Sequence, residues 1–158
     1  MNADAIVTEL DAMRAQGWSA TSLKELAVRL LHESNPRFHW TGIYELFPDG
    51  TLRLGPFLGA PTDHVSIPVG RGVCGTAVAE ARNINVPDVR ELDNYLACSL
   101  ETRSELVVLI RIGNRIYAQI DIDSHQPAAF DPGTEESVQK VADALAPLYE
   151  AKNPGQRA

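Results

Sequence analysis

E-L-V-V-L-I-R-I-G-N-R-I-Y-A-Q-I-D-I-D, Glu105 to Asp123, decides the fold. Glu105 to Ile112 is a strongly apolar run of strand length, and Gly113-Asn114 is a tight-turn pair. Arg115 to Asp123 returns with strict alternation. Ile116, Ala118, Ile120 and Ile122 take one face; Tyr117, Gln119, Asp121 and Asp123 take the other. The stretch is an antiparallel hairpin with an open register question. A two-residue Gly-Asn loop sets Glu105 opposite Ile122, facing away from Asp121. A three-residue Gly-Asn-Arg loop with a bulge sets Glu105 opposite Asp123. Glu105 joins the acidic face only in the second case, or if a bulge lies elsewhere.

Outward from the hairpin, Asp131-Pro132 starts a helix, with a cap residue followed by proline at the first helical position. Val138, Val141, Ala142, Leu145 and Leu148 are its apolar stripe, and Asn153 to Ala158 is a polar tail. Upstream, Phe38 to Phe47 alternates as a strand that places Trp40 and Tyr44 on one face. Pro48 to Thr51 is a turn, and Leu52 to Phe57 pairs back; Pro56, Gly59 and Pro61 suit an edge. His64 to Pro68 and Ile84 to Val86 are short strands, with a short helix at Thr76 to Glu80. The N-terminal part holds two helices. The first is Ala3 to Arg14; the second is capped at Ser22, with Glu25 completing a capping box. This order predicts an α+β fold, an antiparallel sheet with N- and C-terminal helices packed on it, as a single domain over residues 1–152.

A chain of 158 residues is one-domain length. A net charge of −7 argues against nucleic acid and anionic membrane surfaces as partners. No apolar run approaches the roughly 18 residues of a membrane span, and Met1-Asn2-Ala3-Asp4 lacks a signal-peptide layout. The expected location is cytoplasmic. Cysteines in that compartment are more often reduced and functional, or buried, than disulfide-bonded.

Both cysteines, Cys74 and Cys98, fall in the stretch from Val69 to Glu105. Gly70 to Gly75 matches G-x-G-x-x-G, but a dinucleotide site needs an open parallel βαβ unit, whereas the best strands here pair through a hairpin. The glycines are read instead as a tight turn with positive φ. Cys74 then lies near a helix N-terminus, which lowers a thiol pKa; packing as a small buried residue is an equal reading. Cys98 sits in a polar loop, where packing explains it poorly, and Arg103 lies close enough in sequence to favour its thiolate. If the faces carrying Trp40 and Tyr44 and carrying Asp121 and Asp123 coincide, they form a pocket with aromatic walls and an acidic floor, suited to an ammonium. The four histidines and two cysteines show no metal-ligand spacing, so no metal and no cofactor is expected.

Taken together, H-W-T-G-I-Y, L-G-P-F-L-G-A-P, I-P-V-G-R-G-V-C-G-T-A, L-A-C-S-L-E-T-R-S-E-L-V-V and I-D-I-D-S resemble, in order and spacing, the free methionine-R-sulfoxide reductases, which are built on a GAF domain. The resemblance runs from about Phe38 to the last helix. It implies a thiol-dependent reduction of free methionine-R-sulfoxide, recycled by thioredoxin, in a homodimer. It makes Cys98 the reactive cysteine and Cys74 a second redox thiol, with the order of attack open between them. It adds Glu105 as an acid, Asp121 and Asp123 as substrate carboxylates, and Trp40 and Tyr44 as pocket aromatics. One position departs: the family usually carries a third cysteine where this chain has His64. That substitution leaves resolution to Cys74 or an external thiol. It also supports a rival reading, a GAF ligand-binding or redox-sensing module with little turnover.

Overall fold

The computed structural model of the protein describes residues 1–92 and 100–150. Cys98 and the polar tail lie outside the described residues. Six strands form one sheet: β1 (Trp40–Leu46), β2 (Thr51–Leu58), β3 (Ser66–Pro68), β4 (Ile84–Val86), β5 (Ser104–Ile112) and β6 (Arg115–Ser124), in spatial order β3-β2-β1-β6-β5-β4. Every pairing is antiparallel. Among the described residues the glycine motif therefore has no parallel βαβ unit to serve. Its predicted conformation is present, with φ of 94° at Gly70 and 65° at Gly72.

Helices α1 (Ala3–Ala15), α2 (Ala20–Glu33) and α4 (Pro132–Glu150) cover one face of the sheet, burying their stripes against Ile43, Leu106, Val108, Ile110, Ile120 and Ile122. Helix α3 (Gly72–Glu80) lies on the other face with Trp40, Tyr44, Val107 and Leu109. It begins earlier than predicted, at Gly72 rather than Thr76, so Cys74 sits inside its first turn. Helix α2 also begins earlier. Ser19 is its cap, and Ser22 is the residue whose N–H donates to the Ser19 hydroxyl at 3.1 Å. Strand β3 covers only Thr51, Leu52 and Arg53 of β2, so the Pro56 end of β2 is an open edge, as its prolines and glycines predict.

The hairpin register resolves in the third way. Ile112 pairs with Arg115, so the loop is the two-residue Gly113-Asn114, yet Glu105 still pairs with Asp123 and Val107 with Asp121. The parity is changed by a bulge. Ile110 pairs with Ala118 and Arg111 with Ile116, which leaves Tyr117 as the extra residue of β6. The predicted faces are corrected on the turn side of that point. Tyr117 points to the helix layer and stacks on Tyr149 of α4 at 5.9 Å, while Ile116 packs with the α3 side.

Candidate functional site

The pairing aligns the predicted residues in rows across the sheet. Trp40, Asp123, Glu105 and Val86 stand side by side on β1, β6, β5 and β4; the next row is Gly42, Asp121, Val107 and Ile84. Residues in one row share a face, so the aromatic wall and acidic floor do coincide. The bare Gly42 is part of the construction. A Cβ there would meet the Trp40 ring at 2.5 Å, so the indole occupies the space a side chain would need. Trp40 Nε1–H donates to the Ala60 carbonyl at 3.0 Å, and the Tyr44 hydroxyl donates to the His64 carbonyl at 2.7 Å. The two rings stack with centroids 6.3 Å apart, and Phe57 stacks on Trp40 from the β2 side. Those carbonyl anchors come from irregular chain and left no signal in the sequence pattern.

Cys74 approaches from above the sheet. Its Sγ lies 3.9 Å from Glu105 Oε2, and its own carbonyl accepts from Gln119 Nε2 at 3.0 Å, which ties α3 to β6. Cys74 is a thiol here. One donor atom each from Cys74, Glu105 and Asp121 fall within 4.8 Å of one another, all three residues buried. They line a cavity of about 10 Å³, shared with Tyr44, His64 and the solvent-exposed Arg71.

Burial dominates the electrostatics. It pushes the Glu105 carboxyl well above the usual range, and the like charges of Asp121 and Asp123 push it further. Burial also raises Asp121, against the opposing influence of Glu105 and Cys74. Neither Asp121 oxygen reaches a hydrogen bond of good geometry among the described residues, although the side chain is fully buried. No ion pair among the described residues reaches Glu105 or Asp121. Carboxyls so close cannot all ionise together, so the cluster holds a proton or a cation near neutrality. Such a site can bind a small cation, and it can donate a proton to a departing oxygen. Arg103, expected to act on Cys98, pairs with Asp88 at 3.1 Å.

The GAF domain family model matches residues 22–147. The free methionine-R-sulfoxide reductase of Escherichia coli is 41% identical over 119 residues, 75% of this chain and 69% of that protein. Among solved structures, the type II free methionine-R-sulfoxide reductase from Thermoplasma acidophilum superposes with a TM-score of 0.79 at 40% identity, covering 83% of this chain and 92% of that one. The Neisseria meningitidis free methionine-R-sulfoxide reductase in complex with its substrate gives 0.85 at 29% identity, over 94% and 89%. The α+β sheet and its helices are thus a GAF fold. The chain belongs to the GAF domain family and, within it, to the free methionine-R-sulfoxide reductases.

Proposed function

We propose that this protein reduces free L-methionine-R-sulfoxide to methionine. The observation that carries the reading is the buried Glu105–Asp121–Asp123 cluster beside Trp40 and Tyr44, in a member of this family. The ammonium of a free amino acid supplies the cation the carboxyls need, which explains a preference for the free molecule over a peptide residue. Trp40 and Tyr44 flank the thioether end.

Cys98 attacks the sulfoxide sulfur as thiolate. Glu105, held protonated by burial and by the neighbouring acids, protonates the oxygen as it leaves sulfur. The oxygen passes to the Cys98 sulfur as the transient bond between the two sulfurs breaks toward the substrate, so methionine departs with its sulfur reduced and Cys98 is left as sulfenic acid. Cys74 condenses with it, releasing water and forming a disulfide, which thioredoxin reduces. The reading includes a cytoplasmic location, a homodimer and a single domain over residues 1–152. Among the described residues no helix is long and apolar enough to cross a membrane.

A second reading, a ligand-binding or redox-sensing GAF module, is favoured by one feature. His64 stands where the family usually has its third cysteine, and it lines the cavity. The deciding experiment assays both epimers of free methionine sulfoxide with a thioredoxin system in wild type, Cys98→Ser and Cys74→Ser. Wild type is expected to consume the R-epimer only, and Cys98→Ser to be inactive. Cys74→Ser is expected to retain one stoichiometric turnover. No consumption of the R-epimer with any reductant overturns the enzyme reading.

A further inference from the structure

The structure assigns a second ligand to this cluster: a divalent transition-metal ion of the zinc type, bound by Cys74 Sγ, a Glu105 carboxylate oxygen and an Asp121 carboxylate oxygen. Three separate elements, α3, β5 and β6, bring these donors within 4.8 Å of one another. The convergence is built in. Sheet register fixes the two carboxyls, and the Gln119 bond to the Cys74 carbonyl fixes the helix above them.

Asp121 is the independent pointer to a ligand. It is fully buried and lines the cavity, and neither of its oxygens reaches a hydrogen bond of good geometry among the described residues, its polar neighbours being Glu105 and Cys74 of the same cluster. Buried carboxylates are normally paired or metal-bound. The cavity of about 10 Å³ admits one ion or one water. A sulfur with two carboxylate oxygens excludes Mg²⁺ and Ca²⁺, which take oxygen alone, and suits Zn²⁺ or Co²⁺. Tetrahedral bonds of about 2.0–2.3 Å place ligand atoms about 3.3–3.6 Å apart. The Cys74–Glu105 pair, at 3.9 Å, is near that already, and since every pair lies within 4.8 Å, small rotations of the three side chains draw the donors together. Water takes the fourth position. Binding releases the thiol proton, and any proton held by the two carboxyls, to solvent.

The metal uses the carboxyls assigned above to the substrate ammonium. That overlap, which alone rests on the proposed function, makes zinc and methionine sulfoxide mutually exclusive.

The test is a titration of the reduced, metal-free full chain with Co²⁺, read by the near-ultraviolet thiolate-to-cobalt charge-transfer band, with circular dichroism to check folding. One cobalt per chain is expected, and Zn²⁺ should bleach the band. The band should vanish in Cys74→Ser and persist in Cys98→Ser. Asp121→Asn and Glu105→Gln should each weaken binding about tenfold or more. No band in wild type, a band that survives Cys74→Ser, or a band lost in Cys98→Ser overturns the site. Methionine sulfoxide should diminish the band. A band it leaves unchanged upholds the metal site and overturns its sharing with substrate.

Discussion

The two faces of one sheet handle buried charge in opposite ways. On the helix-covered face, Lys24 meets Glu45 at 2.7 Å and its ammonium lies 4.2 Å from the centre of the Tyr149 ring. On the α3 face, Glu105 and Asp121 are buried with no ion pair among the described residues, and Asp121 reaches no hydrogen bond of good geometry there. Glu45 is adjacent in sequence to Tyr44, so consecutive residues of β1 serve a completed pair and an incomplete one. A charge already matched serves the fold. A cluster left short of positive charge costs stability, and that deficit is what a cationic ligand can satisfy.

The largest expected effect separates the faces by activity. Glu105→Gln should lower kcat for methionine sulfoxide by about 10²–10⁴-fold, the range for loss of a general acid. Lys24→Met should leave kcat per folded molecule unchanged. Steady-state kinetics on the two variants check this.

Stability should move in the reverse sense. Lys24→Met leaves Glu45 facing the helix layer without its cation and should cost about 2 kcal/mol, below the range for fully buried pairs because Glu45 is partly exposed. Asp121→Asn removes an unmatched buried charge and should gain about 1 kcal/mol while activity falls. Urea denaturation at neutral pH compares them. Loss of stability in Asp121→Asn would break the contrast.

The pH dependence sharpens it further. Glu105 and Asp121 have folded-state pKa values above their unfolded ones. The folded protein therefore holds more protons than the unfolded chain between those values. Their contribution to stability is fully present below the unfolded pKa, about 4, and is lost as pH rises through the folded values. Denaturation midpoints across that window should fall with pH in wild type. They should flatten in the Glu105→Gln, Asp121→Asn double variant.

The smallest effect lies far from the site. Ser19→Ala removes the α2 cap and should cost about 1 kcal/mol. The KM for methionine sulfoxide should not change, as kinetics and melting on one preparation would show.

Much of this was legible in local pattern. Alternation placed Trp40 with Tyr44 and Asp121 with Asp123, and the apolar runs located β5, β6 and α4. Bringing the two pairs together required β1 to lie beside β6, pairing Trp40 with Asp123, and such distant pairing has no local code. The Tyr117 bulge was hidden because Ile116 through Asp123 alternates without a flaw; only packing of Tyr117 on Tyr149 decides its direction. The Ser22 cap was misread because Ser19 and Ser22 are both acceptable caps, and the helix takes the one that adds length.

The bulge has a consequence for how this hairpin tolerates change. It works as a phase shifter between two segments of β6. Residues added or lost at the Gly113-Asn114 tip alter only the length of a loop. Drawing Tyr117 into the ladder opposite Ile110 would keep every acid in the chain and rotate the strand by one step, setting Glu105 opposite Ile122, whereas loss of Tyr117 would leave Glu105 opposite Asp123. In the rotated strand Asp121 and Asp123 would be driven into the helix layer, and Ile120 and Ile122 would line the cavity. The placement of the acids thus depends on a bulge that takes no part in the chemistry.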